Sequence, residues 1–409
     1  MGNRKISIRR RRAERGQTIV LVAVALVSLL GMAALAIDVT TLYVARGELQ
    51  RAADAAALAG AKAFVDSGVT SDPANITRQT LAQTMATSVI NSILAQNQVS
   101  GAAPILVAAT PDLTTHPGNP QISVTLQRTN LPTFFARIWG TRLVTVTATA
   151  VAEAYNPSNA PAGYPPIQPK CVKPLLVANQ DPKSAGPSRF VDPTTGAPIA
   201  ANVIGEAVTL KPCPPGACPP VVGDLQFRPA RITSPGTANL CPGGCSPPGS
   251  DYETSIDCCD SATSPATQYQ CGTAIPVPID TALVDPALST QTNQGLHCVT
   301  NHPSEDTLDP TDLSAGTGPA KITAGSGPKL GNLVTTSRSI ATFPIIESPS
   351  ANPTRVVGFL QVFVDPVTAG VPTSTPAHIL NVVGCGNSPS VGPPVLGGGY
   401  SPIPVRLIH

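Results

Sequence analysis

The sequence predicts an α+β chain. A transmembrane helix near the N-terminus continues into an Ala-rich helix packed on a small antiparallel sheet. A β-rich, Pro- and Cys-rich domain stapled by disulfides follows. Three observations carry this. Residues 18–37 contain no charge. An alanine-dominated stretch follows directly. All ten cysteines and 39 of the 45 prolines lie beyond residue 155.

Composition narrows the options. The chain holds 45 Pro and 34 Gly among 409 residues, with 12% charged and 4% aromatic side chains. Such a makeup excludes a coiled coil, a collagen and a polar disordered tail. The net charge of +2 misleads, because residues 1–16 carry seven basic side chains and one acid, Glu14. Without this arm the chain is near −4. Nucleic acid is therefore not an expected partner, since that needs a basic face on a folded domain.

The run Thr18–Ile37 reads TIVLVAVALVSLLGMAALAI. Twenty residues at about 1.5 Å each cross about 30 Å of hydrocarbon. The basic arm on one side predicts a cytoplasmic N-terminus, leaving residues 38–409 outside. The lipid bilayer is thus an expected partner. A cleaved signal peptide is the rival reading, since Ala34-Leu35-Ala36 resembles a cleavage site. The length of the run and its passage into a second helix-forming stretch favour a retained anchor. The arginines lack the rest of a twin-arginine motif. Gly16 suits a prepilin site, but Leu21 stands where glutamate is usual.

Residues 38–66 predict a continuation of the same helix. Ala is the best helix former, and Leu42, Ala45, Leu49, Ala52, Ala53 and Ala56 recur at spacings of three and four. Small residues form two rows, Ala52, Ala56, Gly60 and Ala53, Ala57, Ala61. Such rows let another backbone approach closely. They either pack on the chain's own sheet or form a helix–helix interface, which would make a homo-oligomer. A second amphipathic helix is expected over Asn75–Ala95, after the Ser71-Asp72-Pro73 start signal. Strands are expected at Ile105–Ala109, Ile122–Gln127 and Leu143–Ala150, the last two from their period-2 alternation. Between the last two, LPTFFARIWG (Leu131–Gly140) places Phe134, Phe135, Ile138 and Trp139 on a short helix or turn expected to cover a sheet face. Trp139 is read as a core aromatic.

Arg15–Ala61 resembles the N-terminal segment of TadG-like Flp pilus-assembly proteins. The likeness lies in a basic lead, one span, Asp38 at its outer end, Tyr43, and then Leu49, Gln50, Ala52, Ala53, Asp54, Ala55, Ala56, Ala57, Leu58 and Ala59. Leu131–Ala152 is similar to the closing part of that module. The resemblance implies an inner-membrane component of the tight-adherence machinery that exports and assembles Flp pili, with the other Tad/Flp proteins as partners. Some relatives carry a von Willebrand factor A metal site. Here Asp260-Ser261-Ala262-Thr263-Ser264 and Asp312-Leu313-Ser314-Ala315-Gly316 depart from its pattern, so no metal is expected.

In the second half, strands are expected at Leu175–Ala178, Val203–Leu210, Ile340–Ile346, Val356–Val364 and Ile379–Val383. Ser304–Gly331, polar and rich in Gly, Ser and Thr, reads as a loop or linker. The ten cysteines are Cys171, Cys213, Cys218, Cys241, Cys245, Cys258, Cys259, Cys271, Cys298 and Cys385. Outside the cytoplasm, disulfides are the better reading than zinc, and the spacing leaves their connectivity open.

No catalytic constellation stands out. His116, His297, His302, His378 and His409 sit in no metalloprotease motif, and no phosphate loop or nucleophile elbow occurs. Gly397-Gly398-Gly399-Tyr400 reads as a flexible tail. His297-Cys298 near His302 reads as a disulfide beside exposed histidine. Asn75-Ile76-Thr77 fits the glycosylation pattern.

The expectation is a non-enzymatic, cofactor-free, inner-membrane-anchored component of Flp/Tad pilus assembly and export that supports adherence. Its segments are a basic cytoplasmic arm (1–16), the transmembrane helix (17–37), a Tad-like α+β module (38–155), a Pro-rich linker (156–170) and a periplasmic Cys-rich β domain (171–409). The alternatives are an anchored or secreted Cys-rich adhesin or binding module, and an envelope enzyme.

Overall fold

The computed structural model describes residues 8–116, 118–140, 143–156, 166–169, 171–183, 188–200, 202–213, 218–230, 251–258, 269–272, 274–275, 287–301, 305–349, 351, 353–367, 375–386, 395–396 and 401–408. Helix α1 (Ile8–Asp66) is continuous for 59 residues. The span and the Ala-rich stretch are therefore one helix, as their shared lack of breakers demands. It ends where Gly68 takes a φ of +74°, and the Ser67 hydroxyl donates to the Phe64 carbonyl (2.9 Å). Glycine suits that left-handed position because it has no Cβ.

Helix α2 (Ile76–Gln96) starts on Asn75, whose side-chain oxygen accepts from the Arg78 N–H (3.2 Å). That is an N-cap, so the start signal sits a few residues later than Ser71. The strands β1 (Ile105–Asp112), β2 (Gln121–Pro132) and β3 (Leu143–Ala154) follow. Each contains the strand read from sequence and runs longer at its C-terminal end.

The remaining strands are β4 (Ile167–Gln168), β5 (Leu175–Ala178), β6 (Ala207–Pro212), β7 (Asp224–Pro229), β8 (Ala274–Ile275), β9 (Thr307–Asp309), β10 (Lys321–Thr323), β11 (Leu333–Val334), β12 (Ile340–Ile346), β13 (Thr354–Val364), β14 (Thr375–Gly384), β15 (Val395–Leu396) and β16 (Val405–Leu407). Three more helices are α3 (Asp251–Asp257), α4 (Ala287–Asn301) and α5 (Thr311–Ala315).

The chain divides into two compact units. The first comprises Met1–Ala56, Asn91–Ala109 and Val124–Ala150. Its buried apolar residues include Ala45, Leu49, Ala52, Ala53 and Ala56 of α1, Leu94 of α2, and Val124, Leu126, Ala148 and Ala150 of the strands. The face read from sequence is the buried face, with Leu42 only half-buried.

The second unit comprises Ala57–Ile90, Thr110–Ser123 and Val151–His409. Its centre is a ring of six strands. Neighbours run β12-β5-β7-β6-β14-β13, and β13 pairs back onto β12. The pairs β5–β12 and β6–β7 are parallel and the other four antiparallel. Closure removes the exposed edges that a Cys- and Pro-rich sheet would otherwise present. All six strands feed one core that holds Leu175, Leu210, Phe227, Phe343, Leu360 and Ile379, capped by Tyr252 and Ile256 of α3 and Leu296 and Val299 of α4.

One correction and one addition follow. Ser304–Gly331 is not a structureless loop: it holds β9, α5 and β10, and β9 and β11 flank β10 in an antiparallel sheet. Buried Leu313 and Ile322 anchor it, and the Asp306 carboxylate accepts from Gly325 N–H and from the Ser337 hydroxyl. Such widely spaced anchors leave no periodicity to read. Secondly, the C-terminal strand β16 pairs antiparallel with β3, Arg406 opposite Glu153. Arg406 Nε donates to Glu153 (2.6 Å), and its guanidinium lies 4.3 Å from the Tyr155 ring centre.

Candidate functional site

The strip of α1 from Asp38 to Ala61 holds the residues singled out from the sequence. Asp38 is the first residue beyond the apolar run, and it is buried. Its Oδ1 accepts from Phe134 N–H (2.8 Å), and its Oδ2 accepts from Phe135 N–H (2.9 Å) and Ala136 N–H (2.6 Å). These donors open the 3-10 turn Ala136–Trp139, where backbone N–H groups lack partners of their own. One carboxylate thus pins the β2–β3 connection to the helix. Sequence reasoning marked Asp38 as the end of the span but did not find these partners. An acid closing an apolar run was itself the signal that such donors must exist.

The turn itself differs from expectation. Phe134 is 58% exposed and Phe135 half-buried, so they do not cover a sheet face. With both its strands already fixed, a turn held by Asp38 aims Phe134 outward. The side chains of Ile138 and Trp139 lie outside the described residues.

Farther along α1, Glu48 accepts from Ser100 N–H (2.9 Å). Gln50 donates to Asp54 (2.8 Å) and to the Thr149 carbonyl (3.1 Å). Tyr43 is exposed. Ala52, Ala53, Ala56, Ala57, Gly60 and Ala61 are buried within the chain. A Cβ on Gly60 would lie 3.1 Å from both Ile90 Cδ1 and Ile122 Cδ1. There the small residue admits the chain's own helix α2 and strand β2.

In the second unit, Arg78 is fully buried. It donates to the carbonyls of Ser67 (3.0 Å), Ile204 (3.3 Å) and Leu313 (2.9 Å). Burial pulls its pKa down and Asp72 opposes that. Nearby, the Ser71 hydroxyl accepts from Val382 N–H (3.0 Å), and Asn156 donates to the Thr70 carbonyl (3.0 Å). This clasp of polar side chains was not legible in sequence, because its partners are distant carbonyls.

Lys173 is buried and donates to the Cys258 carbonyl (3.3 Å). Burial lowers its pKa while Asp257 raises it. Burial likewise raises Asp257, with Glu253 adding and Lys173 opposing. Burial pushes the Glu206 carboxyl up to about 7, Lys183 pulls it down, and Asp181 pushes it up.

Seven described cysteines, Cys171, Cys213, Cys218, Cys258, Cys271, Cys298 and Cys385, are in disulfides. Cys213–Cys218 closes the connection between the parallel strands β6 and β7, and Cys271–Cys385 ties the approach to β8 to the end of β14. Cys241, Cys245 and Cys259 lie outside the described residues, as do Asp260–Ser264, His302, His409 and Gly397–Tyr400. Cys298 beside His297 is a disulfide sulfur. Asp312 pairs with Lys321, and the Ser314 hydroxyl donates to the Gly205 carbonyl (2.8 Å). Among the described residues, no three His, Cys, Asp or Glu gather as metal ligands.

The architecture defines a class: one helix long and apolar enough to cross a membrane, running without a break into an α+β body that carries disulfides. The particular family enters through that helix. Residues 16–63 match the Tad family model, "Putative Flp pilus-assembly TadE/G-like". This is the family that the Arg15–Ala61 pattern resembles, and the match points to involvement in Flp/Tad pilus assembly through that segment alone. No curated protein and no solved structure matches the chain.

Proposed function

We propose that the chain is a non-enzymatic, single-pass component of Flp/Tad pilus assembly and export, anchored in the bacterial inner membrane and supporting adherence. The observation that carries this is the Tad match over residues 16–63, laid along a helix long and apolar enough to span. The basic arm argues for a cytoplasmic N-terminus. The disulfides favour a periplasmic body, because the cytosol keeps thiols reduced. On this reading residues 1–16 are the cytoplasmic arm, 17–37 the anchor, 38–155 the Tad-like module, 156–170 a linker and 171–409 the Cys-rich domain. The other Tad/Flp proteins and the lipid bilayer are its partners. The buried Ala rows serve internal packing, which leaves the partner surface to other residues.

A clean deletion with complementation tests the role. Loss of surface pili and of adherence, restored by the intact gene, is expected. Normal piliation rejects the role. An alkaline phosphatase fusion at His409 tests the topology: an inactive, cytosolic reporter overturns the periplasmic placement. Protease access to the Cys-rich domain on intact cells would favour the adhesin reading instead.

A further inference from the structure

The connection between β2 and β3 has an unexplained surface. Phe134 is 58% exposed, and Leu143, which opens β3, is 57% exposed. Arg137 between them is also exposed. Asp38 fixes where this surface lies. The apolar run is about 30 Å long and ends at Ile37, so Asp38 stands at the level where hydrocarbon gives way to headgroups. The Asp38 carboxylate holds the N–H groups of Phe134, Phe135 and Ala136 within 2.6–2.9 Å. The turn is therefore at the same level. On the helix itself Leu35, Ile37 and Val39, which flank Asp38 in sequence, are also exposed.

We propose that the Thr133–Gly140 turn is a second membrane contact, clamped by Asp38 so that Phe134 enters the acyl boundary and Arg137 meets anionic phosphate headgroups of the same bilayer. Apolar and basic side chains together are what an interfacial segment needs. The clamp fixes the depth and tilt of the helix as it leaves the membrane, which a lone span leaves free. The proposal rests on the reading of α1 as a membrane span, and the test separates the two.

The full chain is placed in vesicles of phosphatidylcholine and phosphatidylglycerol. Trp139, the single tryptophan, is removed by Trp139→Phe, and Phe134→Trp then puts the reporter at the exposed position itself. Lipids brominated near the headgroup end of their chains are expected to quench its fluorescence, and aqueous iodide is not. In that background Arg137→Glu, at another exposed position, is expected to lose most of that quenching while the protein still floats with vesicles. Asp38→Ala is expected to lose it too. If the protein floats but only iodide quenches the reporter, the turn faces water and the proposal fails. Shielding from both quenchers means that protein covers the turn, and the proposal fails again. Failure to float overturns the span and the proposal together.

Discussion

Two regions of this chain solve the same problem with opposite materials. The Ala-rich part of α1 holds no cysteine, and its buried face is mostly small: Ala45, Ala52, Ala53, Ala56, Ala57 and Ala61, with Leu49 the one large side chain before Phe64. Small residues bring backbones close, and stability comes from many short contacts. The six-stranded ring buries Phe227, Phe343, Phe359 and Phe363 and adds covalent staples. Its connections are long and Pro-rich, so ordering the chain is expensive there. Close packing suits the region with the best local propensity, and bridges suit the region with the worst.

The comparison can be broken at either end. The largest effect is expected for Cys271→Ser with Cys385→Ser. That bridge closes a separation of 114 residues, and its loss should cost about 4–5 kcal/mol. Removing Cys213–Cys218, with a separation of 5, should cost about half as much. Thermal melts of the full chain in detergent check both. Equal losses would mean that the bridges do not act through loop closure.

Next is Arg78→Met, which leaves the carbonyls of Ser67, Ile204 and Leu313 without this donor. A loss of about 3 kcal/mol is expected, again read from melts. A neutral outcome would mean that water replaces the guanidinium.

Ala53→Leu should cost about 1–3 kcal/mol by overpacking, whereas Ala55→Leu, half-buried on the same helix, should cost less. Indistinguishable melts would show that the Ala face has room to spare, and the contrast with the ring would lose its basis.

The smallest effect is pH-dependent. The folded Glu206 pKa, about 7, lies above its ordinary value. Its contribution is therefore complete below about pH 4.5 and is lost as pH rises through about 7. Glu206→Gln should flatten that dependence and be more stable than the parent at pH 8, by on the order of 1–2 kcal/mol. An unchanged slope between pH 5 and pH 8 would show that Glu206 stays solvated. Subtracting the parent removes the titration of Lys173 and Asp257.

Much of the fold was legible. Leu175–Ala178 and Ile340–Ile346 were read to the residue because each is a largely apolar run bounded by polar or turn residues. Val203–Leu210 was shifted, since Gly205 with φ +83° turns the chain before β6 begins. Helix α4 was not found: only Leu296 and Val299 of its 15 residues enter the core. Of the site, Asp38 and the Ala rows were visible, but the turn that Asp38 holds lies 96 residues away, beyond any local pattern.

By itself the sequence determined what depends on near neighbours: the apolar run, the Ala face and the alternation of the strands. Helix and strand periodicity are local, so a single chain displays them. The tertiary structure alone decided that β13 closes onto β12, that β16 returns to β3, and that three N–H groups converge on Asp38. Those choices depend on which distant backbone groups are left needing a partner, and that is known only once the chain has been brought together.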